Sequence, residues 1–282
     1  MILSDISSAD QLVLSHLSDK RDVMRDMTIS WSQINSGSWN LDGLRRMAPL
    51  LTDRLAELPG QTELIDAGGI ELVSDQGKQV EVPTGPVIRH ICRPDAPIQV
   101  VFTGHYDTVF PPELGFDHVQ DIGNDRLNGP GLADMKGGLV VMTEALKAFE
   151  ASPESSNLGY RIVISPDEEI GNPVSAPIIA ETAAGADIGM TYEPAMETGE
   201  FAGERKGSGN FSLIIHGVSA HAGRSHADGR SAVLAAAKFV VALEALNGKR
   251  EGVTFNTGKI DVGGPNNQVP DNAVIRFNVR IP

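Results

Sequence analysis

Four short apolar runs narrow most what this chain can become. PVIRHIC (residues 86–92), IQVVFTG (98–104), YRIVIS (160–165) and ADIGMTY (186–192) are aliphatic and partly β-branched, and each is stopped by Gly, Pro or charge. Runs of that length and make-up read as strands. Two helical patterns lie among them. In LADMKGGLVVMTEALKAFEA (132–151), Leu139, Met142, Leu146 and Phe149 fall on one face, and SAPIIAETAAG (175–185) carries a weaker signal. Strands alternating with helices give an α/β sheet with parallel members. Ahead of them, residues 9–58 are helix-rich, and NLDGLRRMAPLLTDRLAEL starts on Asn40, a natural N-cap.

The pattern changes at ETGEFAGERKGSG (197–209), a polar, Gly-rich stretch that reads as a hinge. Beyond it come a strand (211–216), a long Ala/Val/Leu helix (about 229–246) and two strands around VTFNTGKIDVGG and AVIRFNVRIP. This β-α-β-β order matches the first two-thirds of a ferredoxin-like unit. The expected division is therefore a domain at 1–203 and a second at 204–282.

A net charge of −14 over 282 residues argues against nucleic acid, whose phosphates the surface would repel. The single cysteine, Cys92, leaves no internal disulfide and no thiolate zinc site, so any metal must be held by His, Asp and Glu. The N-terminal residues lack the basic-then-apolar pattern of a signal peptide, and no run approaches the roughly 20 apolar residues of a membrane span. The expectation is a cytoplasmic protein with neither nucleic-acid nor membrane partners.

Four acidic or imidazole signals stand at strand ends or a helix entry, where open α/β sheets build their sites. They are His105 and Asp107 in GHYDTV, Asp134 in NGPGLADMKGG, Glu168 and Glu169 in SPDEEIG, and Glu193 in MTYEPA. Taken singly, DEE is an ordinary solvated turn, Asp134 a helix cap and His105 a structural histidine. Together they suit a borderline metal such as zinc. Two metals roughly 3.5–4 Å apart need a bridging carboxylate. Asp134 is the natural bridge, with His105 and Glu193 on one metal and Glu169 on the other. Residues 105 and 107 share a strand face, so Asp107 can fix the His105 tautomer. Glu168 is left beside a metal-bound water, placed to take its proton.

GHYDTV, NGPGLADMKGG, DEEIG and YEP, in that order, resemble the co-catalytic zinc aminopeptidase and deacylase family. That family includes glutamate carboxypeptidase (carboxypeptidase G), acetylornithine deacetylase, succinyl-diaminopimelate desuccinylase and the aminoacylases. The resemblance runs from about residue 40 to the end, and Glu193 followed by Pro194 is most similar to the carboxypeptidase G branch. It implies a zinc-exopeptidase-like catalytic domain with a mixed, largely parallel sheet, and an α+β ferredoxin-like lid that makes a homodimer. It repeats the metal, base and orienting roles reasoned above, with two Zn2+ per complete site and Co2+ or Mn2+ as substitutes. It also implies that His221, in SAHAG, stabilises the oxyanion, often in a partner's site. Asn267 and Arg280 would contact the substrate's carboxylate or scissile carbonyl. Read without the family, His221 is a surface loop residue and Arg280 an edge-strand arginine. The substrate implied is an N-acyl amino acid or peptide, cleaved next to a free carboxylate.

The family's last zinc ligand is a histidine in a C-terminal segment that this sequence does not contain, and the lid lacks a final helix and strand. The expectation is a fragment of a di-zinc amide hydrolase. The alternative is a truncated, catalytically impaired relative that binds or dimerises.

Overall fold

A computed structural model of the chain describes residues 7–196, 198–200 and 203–282. Three helices come first: α1 (Ser8–Ser18), α2 (Arg21–Ser32) and α3 (Leu41–Leu55). Then follow β1 (Gln61–Ile65), a hairpin of β2 (Gly69–Val73) and β3 (Gln79–Pro83), β4 (Val87–Cys92) and β5 (Ile98–His105). A small ribbon, β6 (Gln120–Asp121) with β7 (Leu127–Asn128), leads to α4 (Gly137–Glu150), β8 (Leu158–Ser165), α5 (Ala176–Ala183) and β9 (Ile188–Thr191). The last elements are β10 (Gly207–His216), α6 (Ala232–Glu244), β11 (Thr254–Val262) and β12 (Asn272–Ile281).

Two compact units result: Met1–Ile70 with Pro83–Pro194, and Glu71–Val82 with Ala195–Pro282. The division expected after residue 203 lies a little beyond this one, and the β2–β3 hairpin, absent from the sequence reading, joins the second unit. The hinge stretch 197–209 lies partly outside the described residues.

In the first unit the sheet runs β1-β4-β8-β5-β9. It is evenly mixed: β1–β4 and β4–β8 are antiparallel, β8–β5 and β5–β9 parallel. The four apolar runs of the sequence are β4, β5, β8 and β9, so strand β1 is the one the pattern missed. Leu44, Met47, Leu51 and Leu55 of α3 and Leu139, Met142 and Leu146 of α4 pack with Ile88, Phe102, Ile162 and Ile164 in one core. The Asn40 side chain accepts a hydrogen bond from the Gly43 amide (3.2 Å), capping α3 as expected.

In the second unit β12 is inserted between β10 and β11, both antiparallel to it, giving the order β10-β12-β11. This is the split β-α-β of a ferredoxin-like unit. Ala232 and Ala236 let α6 lie close on the sheet against Ala273 and Ile275.

Candidate metal centre

Three neighbouring parallel strands present their carboxyl ends together, which is where open α/β sheets place ligands. The register sets the level of each group. His105 pairs with Ser165, and Thr103 pairs with Thr191, so the turn after β8 and the residues after β9 both flank His105.

His105 is fully buried. Its Nδ1 faces two acceptors, the Asp107 carbonyl at 3.1 Å and Asp107 Oδ1 at 3.3 Å, so Nδ1 carries a proton. Nε2 faces acceptors on the other side and carries a proton as well, the one a metal would replace. There it meets Asp134 Oδ1 at 3.0 Å, Glu193 Oε1 at 3.5 Å and Glu168 Oε2 at 3.8 Å. The ligand atoms of His105, Asp134 and Glu193 all lie within 4.8 Å of one another. One neutral imidazole cannot balance three converging carboxylates. Burial works against a charged His105, yet the carboxylates of Asp107, Asp134 and Glu193 push its pKa up to about 12. Burial, and then the Asp134 charge, raise that of Glu169 to about 7, and burial likewise raises Glu168. The whole nest calls for a cation, and its oxygen and imidazole donors fit a divalent metal such as zinc.

Asp134 is delivered by an irregular turn, Leu132–Lys136, that runs into α4. Gly131 opens this turn at φ +66°, a conformation that favours glycine. Gly138 is needed for space: a Cβ there would sit 2.2 Å from the Tyr192 carbonyl, so α4 lies directly against the residue preceding Glu193. Lys136, in the same turn, is buried, and its Nζ donates to the carbonyls of Trp31 (3.0 Å) and Ile34 (2.7 Å). That bond set ties the Asp134 turn to the end of α2, and burial brings the lysine pKa down to about 7.

Asp107 does more than the sequence reading assigned to it. Oδ1 accepts from the Glu168 amide (3.1 Å), and Oδ2 accepts from the Glu169 amide (3.2 Å) and from Ser38 Oγ (2.7 Å). One buried carboxylate thus holds both the His105 ring and the turn bearing Glu168 and Glu169. Ser38 was not singled out in the sequence. The only signal for it is the run NSGS, small polar residues between two helices, here pinned along the end of β5. Ser36 Oγ donates to the Tyr106 carbonyl (2.6 Å), and the Ser38 amide donates to the Thr108 carbonyl (3.1 Å).

In the second unit His221 and Asn267 lie together, because the Ala222 amide donates to the Asn267 carbonyl (2.9 Å). His221 Nδ1 accepts from the amides of Gly223 (3.1 Å) and Arg224 (3.2 Å), so a neutral ring carries its proton on Nε2. His221 and Asn267 are exposed, as is His226. Arg280 is not with them. It lies near the far end of β12, opposite Ser208 and Thr254, with Nε donating to Asn278 (3.0 Å). Eight residues of strand separate it from Asn272, roughly 26 Å. Asn267 thus precedes the start of β12, whereas Arg280 lies near its end.

Residues 101–206 match the model described as peptidase family M20/M25/M40, and residues 203–282 match that of a peptidase dimerisation domain. The chain belongs to the M20 peptidase family. Carboxypeptidase G2 of Pseudomonas sp. (strain RS-16) is 27% identical over 187 residues, 64% of this chain and 44% of that protein. A succinyl-diaminopimelate desuccinylase of Gluconobacter oxydans is 32% identical over 197 residues, 64% of this chain and 50% of that protein. The M20 chain thus spans about half the length of the curated relatives it matches. Among solved structures, a dipeptidase of Saccharomyces cerevisiae superposes with a TM-score of 0.67 at 15% identity, over 97% of this chain and 72% of that one. Human carnosine dipeptidase 1 does so at 0.63 and 16%, over 95% and 72%. At those identities the likeness is one of fold.

Proposed function

We propose that the protein is a metal-dependent hydrolase that cleaves an amide or peptide bond next to a free carboxylate. The observation that carries this reading is the convergence of Asp134, Glu168 and Glu193 on the Nε2 of a buried, tautomer-fixed His105. The relatives named above, a carboxypeptidase and a desuccinylase, support the reaction class.

Two zinc ions are the proposed cofactors, with Co2+ or Mn2+ as substitutes. His105 and Glu193 would hold one, Glu169 the other, and Asp134 would bridge. Bound there, the metals supply an acidified water and polarisation of the amide carbonyl. Glu168 takes the proton from that water and passes it to the departing nitrogen, a role suited by its burial-raised pKa. Asp107 keeps the His105 ring and the Glu168 backbone in place. The His221 Nε2–H is a donor for the oxyanion, and the Asn267 amide another for the carbonyl. The Arg280 guanidinium is the group for the carboxylate, by the geometry of its planar fork.

The partner proposed is a second copy of the chain. Arg280 and the His221–Asn267 pair stand at opposite ends of β12, so they serve one substrate only when two copies supply them. The dimerisation-domain match and the outer face of α6, where Leu234 and Val241 are 56% and 71% exposed, support this.

The test is zinc-loaded protein on a panel of N-acyl amino acids and dipeptides, read by release of free amine. Turnover removed by a chelator and restored by zinc is the expected result. Zinc bound at His105 with no amine released would favour the alternative, an impaired relative that binds or dimerises.

A further inference from the structure

We propose that the cleft beside Glu169 is the acyl-side subsite and takes a bulky uncharged group, aromatic or branched aliphatic. This rests on the amide-hydrolase reading above and names the substrate half it left open. The cleft holds about 370 Å³, with Trp39, Val109, Pro111 and Ile170 as its apolar walls and Gly37 in its floor. Trp39 is 50% and Val109 58% exposed, so large apolar side chains are held in water at its edges. They are not on a loose segment. Asn35 Nδ2 donates to the Phe110 carbonyl (3.1 Å), and the Ser36 and Ser38 bonds fasten the same loop to residues 106–108. Rigid apolar walls with an exposed indole are what a preformed ligand cleft offers. A Cβ on Gly37 would sit 2.5 Å from the Phe110 carbonyl, so glycine lets this segment lie directly against residue 110.

Two further observations place and define the occupant. Asp107 bonds both Ser38, in the floor, and the Glu169 amide, so one buried carboxylate locks the cleft to the metal centre. Among the residues lining the cleft Glu169 alone is ionisable, and it is an acid. No Arg, Lys or His lines the cleft, so a carboxylate entering there finds no basic side chain to pair with. The carboxylate-bearing half of the substrate therefore lies elsewhere, and the half in this cleft is uncharged.

The experiment compares N-phenylacetyl-, N-acetyl- and N-succinyl-L-alanine on the zinc-loaded full chain. kcat/KM is expected to rank in that order, the first exceeding the second by about tenfold or more. Trp39→Ala should collapse the phenylacetyl-to-acetyl ratio towards one, and Val109→Ser should reduce it. Binding is read separately in Glu168→Gln by Trp39 fluorescence, Trp31 being buried. Equal rates for all three acyl groups would overturn the subsite and leave the hydrolase reading standing. If none is hydrolysed, the hydrolase reading falls. In that case a fluorescence change with the phenylacetyl but not the acetyl compound still supports the cleft, and its absence overturns it.

Discussion

Two histidines, one in each compact unit, are built in opposite ways. His105 is wholly buried at the end of a central strand, with both ring nitrogens facing oxygen atoms of its own unit. His221 is exposed on a loop, with Nδ1 saturated by two backbone amides and Nε2 turned to solvent. The first is complete apart from the cation its carboxylates demand. The second is an oriented donor with nothing on its own loop to donate to. A buried polar group must find its partners within the fold, whereas an exposed one can be held ready for something that arrives.

The largest effects should separate those two kinds of residue. Glu168→Gln should lower kcat by about 10²–10⁴-fold with zinc content kept, and His105→Ala should lose zinc along with activity; metal analysis beside initial rates checks both. Loss of zinc in Glu168→Gln would break the division between base and ligand. Next in size, His221→Ala should cost about 10²–10³ in kcat with zinc unchanged. Mixing it with Glu168→Gln should recover activity through mixed dimers, since the family resemblance often places this histidine in a partner's site. No recovery at equilibrium would return His221 to its own chain.

Smaller effects sharpen the picture of His105. Ser38→Ala removes a donor from buried Asp107, so it should cost about 1.5–3 kcal/mol in denaturant unfolding and roughly tenfold in zinc affinity. An unchanged zinc affinity would confine Ser38 to a structural part. The smallest effect concerns pH. In the metal-free protein His105 and Glu169 both have raised pKa values, so their protonated forms stabilise the fold at low pH. That contribution is complete below about pH 4.5 for Glu169 and below about pH 6.5 for His105, and it fades as pH rises above each. Zinc takes the place of those protons, so the rise in Tm on adding zinc should be greater at pH 8 than at pH 5.5, by thermal scanning. A shift independent of pH would mean that zinc binds elsewhere.

Gly138 shows where sequence reading stops. The string NGPGLADMKGG exposes a glycine-rich turn but not its reason, which is the Tyr192 carbonyl 2.2 Å from where a Cβ would stand. Ser38 is the same case from the other side: its importance depends on Asp107, 69 positions away. Strand β1 and the β2–β3 hairpin were missed because QTELI and QVEVP are short and largely exposed, and the brief alternation in QVEVP has no apolar run around it.

By itself the sequence determined the strands β4, β5, β8 and β9, the helix α4, the ferredoxin-like order of the second unit and the ionisable groups that converge at the strand ends. These are local matters, set by apolar periodicity, by the residues that stop a strand and by the chemistry of His, Asp and Glu side chains. Only the tertiary structure decided that Asp107 is the hub of the centre, that Ser38 and Lys136 serve it, and that Arg280 stands apart from Asn267. Those facts depend on register and packing between distant segments, and no window of sequence contains a distance through space.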